Sequence, residues 1–363
     1  MNDEGVLPVD GAESFDLPPT RIAESSATEV AMREPAERIL CTTMGRGQGA
    51  FQIASEWQHS SVTCWFLDDF QRMLADRSLG ARSRCENLVT VCQPDFPDNS
   101  FDLAVLPCSQ NGEAELTRDL LQAAYQRLAS GGRLIAAVDN PRDHWLGEQM
   151  KGFGVKVLID WFPDAVVYSI ANTQPLRRIR SFECQFKFRD RDRLVNAVSR
   201  PGVFSHRHID PGARRLLESA EPTDGASVLD LGCGAGTVGL AMALRGENVR
   251  VHAVDSNSRA VACTQAGAIL NGVQDRFSSE LNSSGVNWDS GFDLVLANPP
   301  YYSDFRIAEH FVYTAEQVLN QNGRLILVTK LPQWYEERLV RRWRNVSIES
   351  IKQYVIVRGE FVG

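Results

Sequence analysis

The sequence predicts an α/β protein of two tandem doubly wound domains, and three observations lead there. Short Val/Ile/Leu-rich runs alternate with helical stretches along both halves of the chain, four landmarks of the first half recur in order in the second, and each half opens on a strand-like run that breaks into a glycine-rich turn. Such apolar runs are expected of parallel strands whose sheet is covered by helices on both faces.

With 363 residues and 43% hydrophobic side chains, the chain can fill two cores. Residues 1 to 40 hold nine acids against Arg21, Arg33 and Arg38, and residues 1–34 read as a disordered acidic leader. That leader lacks the basic start and apolar core of a signal peptide, and no apolar run approaches membrane-spanning length, so a cytoplasmic location without membrane contact is expected. Eight cysteines without a CxxC pair, and His206 and His208 without partners at ligand spacing, argue against a disulfide framework and against a metal.

The first domain is expected over 35–172. In it RILCTT (38–43) enters MGRGQGAF, SVTCWFLD ends on Asp68, and FDLAVLPCSQ and GGRLIAAV begin at Phe101 and Gly131. The second is expected over 201–363, where ASVLDL (226–231) enters GCGAGTVG, VRVHAVD ends on Asp255, and FDLVLANPPY and NGRLILV begin at Phe292 and Asn322. The glycines at 45, 47 and 49 match those at 232, 234 and 236 at an offset of 187, which sets Thr43 on Asp230 and Asp68 on Asp255; the later landmarks repeat at 191. Repetition in fixed order marks a tandem duplication. Between the domains, 173–200 reads as a basic linker: residues 176 to 215 hold eleven arginines and lysines against four acids, and Arg338, Arg341, Arg342 and Arg344 form a second group. Such clusters neutralise phosphates or form a solvated face.

A glycine turn between a first strand and first helix lets backbone approach a ligand, and an acid ending the second strand can hold ribose hydroxyls. Gly234, Gly236 and Gly239 also satisfy GxGxxG, so a nicotinamide cofactor is one reading. Asp230, two residues before Gly232, suits a ligand with a cationic amino-acid end, such as S-adenosylmethionine, better than a pyrophosphate. At the end of the LVLA run stand Asn298, Pro299, Pro300 and Tyr301. A planar NH2 is a poor nucleophile because its lone pair is delocalised. Accepting its two hydrogens on the Asn298 side-chain oxygen and the Pro299 carbonyl would draw the nitrogen towards a tetrahedral shape and aim the lone pair. The prolines fix the loop, and Tyr301 offers a face on which a base can stack. A rigid strand-ending turn, or a PPxY peptide motif, are the other readings of NPPYY.

In their order, DLGCGAG, the acid Asp255 and NPPY resemble the class I S-adenosylmethionine-dependent methyltransferases. The resemblance implies two Rossmann-like methyltransferase domains, with Asp230, Gly232, Gly234 and Gly236 against the methionine portion of the cofactor, Asp255 on its ribose and Asn282 near its adenine. The first copy, with LPCS (106–109) in place of ANPP, is expected to be degenerate, although its glycines and Asp68 could still hold a nucleotide. The tandem arrangement, together with PGVFS (201–205), Asp210 and ARRLLESA ahead of the glycine turn, is similar to the RsmC/RlmG-type ribosomal RNA guanine-N2 methyltransferases from about residue 35 to the C-terminus. That implies ribosomal RNA or a ribosomal subunit as partner and guanine N2 as the methylated atom. The family's NPPF, His and Gly give way here to Tyr301, Tyr302, Ser303 and Asp304. NPPY also occurs in adenine-N6 and protein-glutamine methyltransferases, so those acceptors, a small molecule or an inactive RNA-binding scaffold are the alternatives.

Overall fold

A computed structural model describes residues 17–80, 85–286, 291–300, 305–340 and 342–363. The chain divides into two compact units, one made of residues up to Phe66 with Gln71–Cys92 and Phe96–Ile179, the other of Leu67–Phe70, Gln93–Asp95 and Arg180–Gly363.

The first unit contains helices α1 (Ile22–Ala31), α2 (Gln48–Glu56), α3 (Asp69–Gly80, whose first two residues group with the second unit), α4 (Ala114–Arg127) and α5 (Trp145–Lys151). Its strands are β1 (Arg38–Cys41), β2 (Ser61–Phe66), β3 (Leu88–Cys92), β4 (Phe101–Cys108), β5 (Leu128–Val138), β6 (Leu158–Trp161) and β7 (Val166–Ala171), in the sheet order β3-β2-β1-β4-β5-β7-β6. The second unit begins with a hairpin, β8 (Cys184–Asp190) and β9 (Arg193–Ser199). It continues through α6 (Pro211–Ser219), β10 (Ser227–Leu231), α7 (Thr237–Arg245), β11 (Arg250–Asp255), α8 (Ser258–Leu270), β12 (Phe277–Leu281), β13 (Phe292–Ala297), α9 (Arg306–Val318), β14 (Leu319–Thr329), α10 (Gln333–Leu339), β15 (Trp343–Ile351) and β16 (Tyr354–Phe361). Its sheet order, β12-β11-β10-β13-β14-β16-β15, is that of the first unit. In each sheet the penultimate strand runs antiparallel to both its neighbours, and the five strands before it are parallel.

The apolar runs are continuous because both faces of the sheet are covered. In the second unit Val228, Leu294 and Leu296 belong to one core, while their neighbours Leu229, Val295 and Ala297 belong to the other. The strand order reverses between β10 and β13, so a crevice opens beyond their carboxyl ends. Among the described residues no helix is long and apolar enough to cross a membrane.

Two boundaries and the repeat offset differ from the sequence expectation. Residues 22–31, placed in the disordered leader, form α1, whose Ala23, Ala27, Val30 and Ala31 are buried in the first core. The stripe of small residues at helical spacing matters more here than the surrounding acids. Much of the linker 173–200 is the β8–β9 hairpin of the second unit. Asp190 at its turn takes a bidentate pair from Arg245 at the end of α7, at 2.8 Å for both bonds, with the side chains 9% and 4% exposed. Arg245 also donates to the carbonyls of Ala220 and Leu217, so the buried charges are fully hydrogen-bonded. Finally, Arg38 pairs with Ser61 as Ser227 pairs with Arg250, which corrects the first offset from 187 to 189. Gly47 and Gly236, both left-handed caps of the following helix, obey the same shift.

Candidate active site

Leu231, closing β10, lies beside Ala297, closing β13, so DLGCGAG and ANPP leave the sheet side by side. The cleft between them is lined by Asp230, Gly232, Gly234, Asn298, Asp210 and Phe204.

The glycine turn is built by backbone that other residues cannot follow. Gly232, Gly234 and Gly236 have φ of +76°, +54° and +71°, the left-handed region that glycine alone enters without steric cost. Gly232 and Cys233 donate to the Val254 carbonyl at 2.8 and 3.0 Å, and Gly236 donates to Cys233 at 2.8 Å. A Cβ on Gly236 would lie 2.7 Å from Thr264 Oγ1, and that buried hydroxyl donates to the Gly234 carbonyl at 3.1 Å.

Two acids face this turn. Asp230 is 3% exposed and its Oδ2 accepts from Gly239 N at 2.8 Å; burial pushes its carboxyl up to about 7, against the pull of that hydrogen bond and with the charge of Asp255 adding to the rise. Asp255, half-buried at the end of β11, accepts from Gly234 N and Asn257 N, each at 2.8 Å. Burial raises it to about 6, with the backbone donors of Asn257 and Gly234 opposing. Asn282 stands beside Asp255, its backbone N–H on the Asp255 carbonyl at 3.1 Å. Its side chain donates to Glu280 at 2.8 Å and accepts from Ser284 N at 2.7 Å.

Asn298 and Pro300 are half-buried and Pro299 is buried; Tyr301 lies outside the described residues. Asn298 Nδ2 donates to Asp210 Oδ2 at 3.0 Å. The same Asp210 oxygen caps α6 by accepting from Ala213 N at 2.9 Å. The sequence expected neither Asp210 nor Phe204 in the site. Phe204 is 66% exposed at the cleft, on a turn where Ser205 and Arg207 adopt φ of +60° and +74°. Buried Ser199 pins that turn, its hydroxyl meeting Arg207 N at 3.0 Å and His206 Nδ1 at 2.8 Å. PGVFS was quoted above for its family likeness alone, since nothing in its residue types announces a side chain held out to solvent.

The corrected offset changes the reading of the first unit. Cys41, not Thr43, stands where Asp230 stands, and Phe66, not Asp68, stands where Asp255 ends its strand. Pro107 replaces Asn298 through the register of β4. The donors of the first glycine turn are consumed by its own chain: buried Glu24 of α1 accepts from Thr43 Oγ1, Met44 N and Gly49 N at 2.9, 3.0 and 2.9 Å. Gln48 likewise accepts from Arg46 N at 2.7 Å. The alternative of a nucleotide site around Asp68 lacks both an open turn and an acid at the strand's end.

In the second unit the donor set fits S-adenosylmethionine: a turn of glycines without side chains over the cleft, and a buried carboxylate whose charged neighbour is a second acid rather than a base. Fold and site together define a class I S-adenosylmethionine-dependent methyltransferase. The family model described as the methyltransferase small domain matches residues 195–358, which lie in the second unit. Among curated relatives, a ribosomal RNA small subunit methyltransferase C of Pseudomonas entomophila is 29% identical over 280 residues, 75% of this chain and 81% of its own length. Its counterpart in Vibrio vulnificus is 38% identical over 135 residues, 36% of this chain and 38% of the relative. A solved T. thermophilus 16S rRNA N2 G1207 methyltransferase, in complex with AdoMet and guanosine, shares the fold with a TM-score of 0.74 and 23% identity, over 93% of this chain and 91% of that one.

Proposed function

We propose that the protein transfers the methyl group of S-adenosylmethionine to the exocyclic N2 of a guanine in ribosomal RNA. The observation that carries this reading is the placement of the Asn298 amide at the switch point, beside the glycine turn and with its NH2 end held by Asp210. The names of the curated relatives point to ribosomal RNA of the small subunit, and that of the T. thermophilus protein to N2 of a guanine.

When bound, the cofactor supplies a methyl group on a sulfonium sulfur. Asp230 and the turn from Gly232 to Gly236 would hold its amino-acid end, Asp255 its ribose and Asn282 the adenine side. The Asn298 side-chain oxygen and the Pro299 carbonyl would accept the two N–H bonds of the guanine amine and direct its lone pair along the line of attack. Such donor and acceptor placement acts without reorganisation at the moment of reaction. Pro299 and Pro300 hold the loop rigid. A guanine has to leave its stack to enter the cleft, at about a few kcal/mol. Stacking on Tyr301 or on the exposed Phe204 would offset this by about 1–3 kcal/mol. Lys187, Arg189 and Arg193, exposed on the β8–β9 hairpin, would meet phosphates. A cytoplasmic location follows from a ribosomal acceptor.

Transfer of labelled methyl to under-methylated ribosomal RNA and subunits, followed by nucleoside digestion, tests the reading. Label is expected in N2-methylguanosine. Label in another planar amine, such as adenine N6 or a protein glutamine, would move the acceptor and overturn the guanine assignment.

A further inference from the structure

We infer that Asp210 is a positioning residue for the reaction: it fixes which end of the Asn298 amide faces the acceptor amine. This rests on the proposed role of Asn298. An amide is nearly symmetric in shape, and rotation by half a turn exchanges its oxygen for its NH2. Only the oxygen can accept an N–H bond of a substrate amine, whereas the flipped amide would set two donors against each other. A carboxylate accepts and never donates, so Asp210 holds the NH2 end, at 3.0 Å, and turns the oxygen away from itself.

Two further features belong to the same device. Asp210 is itself anchored, because the oxygen that holds Asn298 also takes Ala213 N at the start of α6. Behind the pair stands Gly212, the second residue of α6. A Cβ there would lie 2.8 Å from Asp210 Oδ2, 3.2 Å from Asn298 Oδ1 and 3.3 Å from Tyr354 Cε1. The close approach of Asp210 to Asn298 therefore depends on the absence of a side chain at 212. Pro211 sets the helix start without needing an N–H of its own.

The test separates positioning from folding. Serine caps a helix about as well as aspartate but is one bond too short to hold the amide, so Asp210→Ser is expected to lower kcat by about tenfold or more. Melting temperature and S-adenosylmethionine affinity should stay near the wild type. Asp210→Asn keeps one oxygen able to accept from both Ala213 and Asn298, and should restore most of the loss. Gly212→Ala favours the helix in itself, yet should lower kcat by about tenfold by displacing the pair. Side-chain amide resonances of Asn298, assigned by their absence in Asn298→Ala, should shift in Asp210→Ser and return in Asp210→Asn. Wild-type turnover in Asp210→Ser, no rescue by Asp210→Asn, or a loss that follows melting temperature would overturn the inference. The resonance shift is read without any acceptor, so failure to methylate guanine would refute the acceptor assignment alone, and unchanged resonances would refute this one.

Discussion

Binding of S-adenosylmethionine should weaken as pH falls from 7 to 6, through protonation of Asp230. Burial holds this carboxyl near 7 in the free protein, and only its ionised form attracts a cationic amino group. With a value of about 7, roughly half of the protein is competent at pH 7 and about a tenth at pH 6, so the apparent Kd should rise about fivefold. Asp255, near 6, can add at most about a further twofold over the same interval. Bringing a cation to Asp230 lowers its pKa, so binding at about pH 6 should release close to one proton. Titration calorimetry in two buffers of different ionisation enthalpy reads affinity and proton release together. Asp230→Asn should bind more weakly and lose most of the pH dependence. A flat affinity in the wild type, or a slope that persists in Asp230→Asn, would refute the placement of the cationic end at this carboxylate. The linked stability has the opposite sign. Because the folded value lies above the ordinary 3.8, the folded protein keeps a proton that the unfolded chain loses. The free protein should therefore lose stability as pH rises from about 4 to about 7, and saturating cofactor should oppose that loss.

Asn298→Ala should lower turnover by about a hundredfold while leaving cofactor affinity nearly unchanged, as steady-state kinetics and calorimetry would show. Gly236→Ala places a Cβ at φ +71° and 2.7 Å from Thr264 Oγ1, and should cost about 2–3 kcal/mol in denaturant unfolding. Glu24→Ala strands the amides of Met44 and Gly49 and should destabilise the protein by about 2–4 kcal/mol, with cofactor stoichiometry remaining at one per chain. Replacing Lys187, Arg189 and Arg193 together by alanine should reduce the salt slope of RNA binding by about 2, measured by fluorescence anisotropy across a salt series.

The doubly wound architecture was legible because buried parallel strands leave unbroken apolar runs, and the site's place was legible because DLGCGAG and ANPP end neighbouring strands. What stayed hidden depends on geometry rather than residue type. The offset read as 187 gave three matching glycines, but the backbone matches only two of them, since the sheet register and the helix caps require 189. Glu24 was counted among the leader acids, and nothing in sequence connects it to amides twenty or more residues away. Asp210 entered only as part of a family likeness; it caps α6, and its second bond, to Asn298, spans 88 residues. The Arg-dense stretch read as an interdomain linker, phosphate-binding or solvated, because the Asp190–Arg245 pair that folds it is invisible until α7 is in place.

The two units show why one turn can stay open while its copy is closed. Backbone amides at a helix start need acceptors, and burying them without any costs about 1–3 kcal/mol each. The first unit meets that need internally: Glu24 supplies the carboxylate, while Cys41 and Phe66 remove both acids that a ligand would use. The second unit keeps Asp230 and Asp255: the charge of Asp255 adds to the difficulty of ionising Asp230, and that of Asp68 to the difficulty of ionising Asp255. Such a pair is unfavourable in the free protein, and it would become favourable if a cation and hydroxyl donors arrived there, as proposed. With the cofactor placed as proposed, the same electrostatic cost that would be a defect in a purely structural domain would here provide the differential affinity by which a charged cofactor is selected.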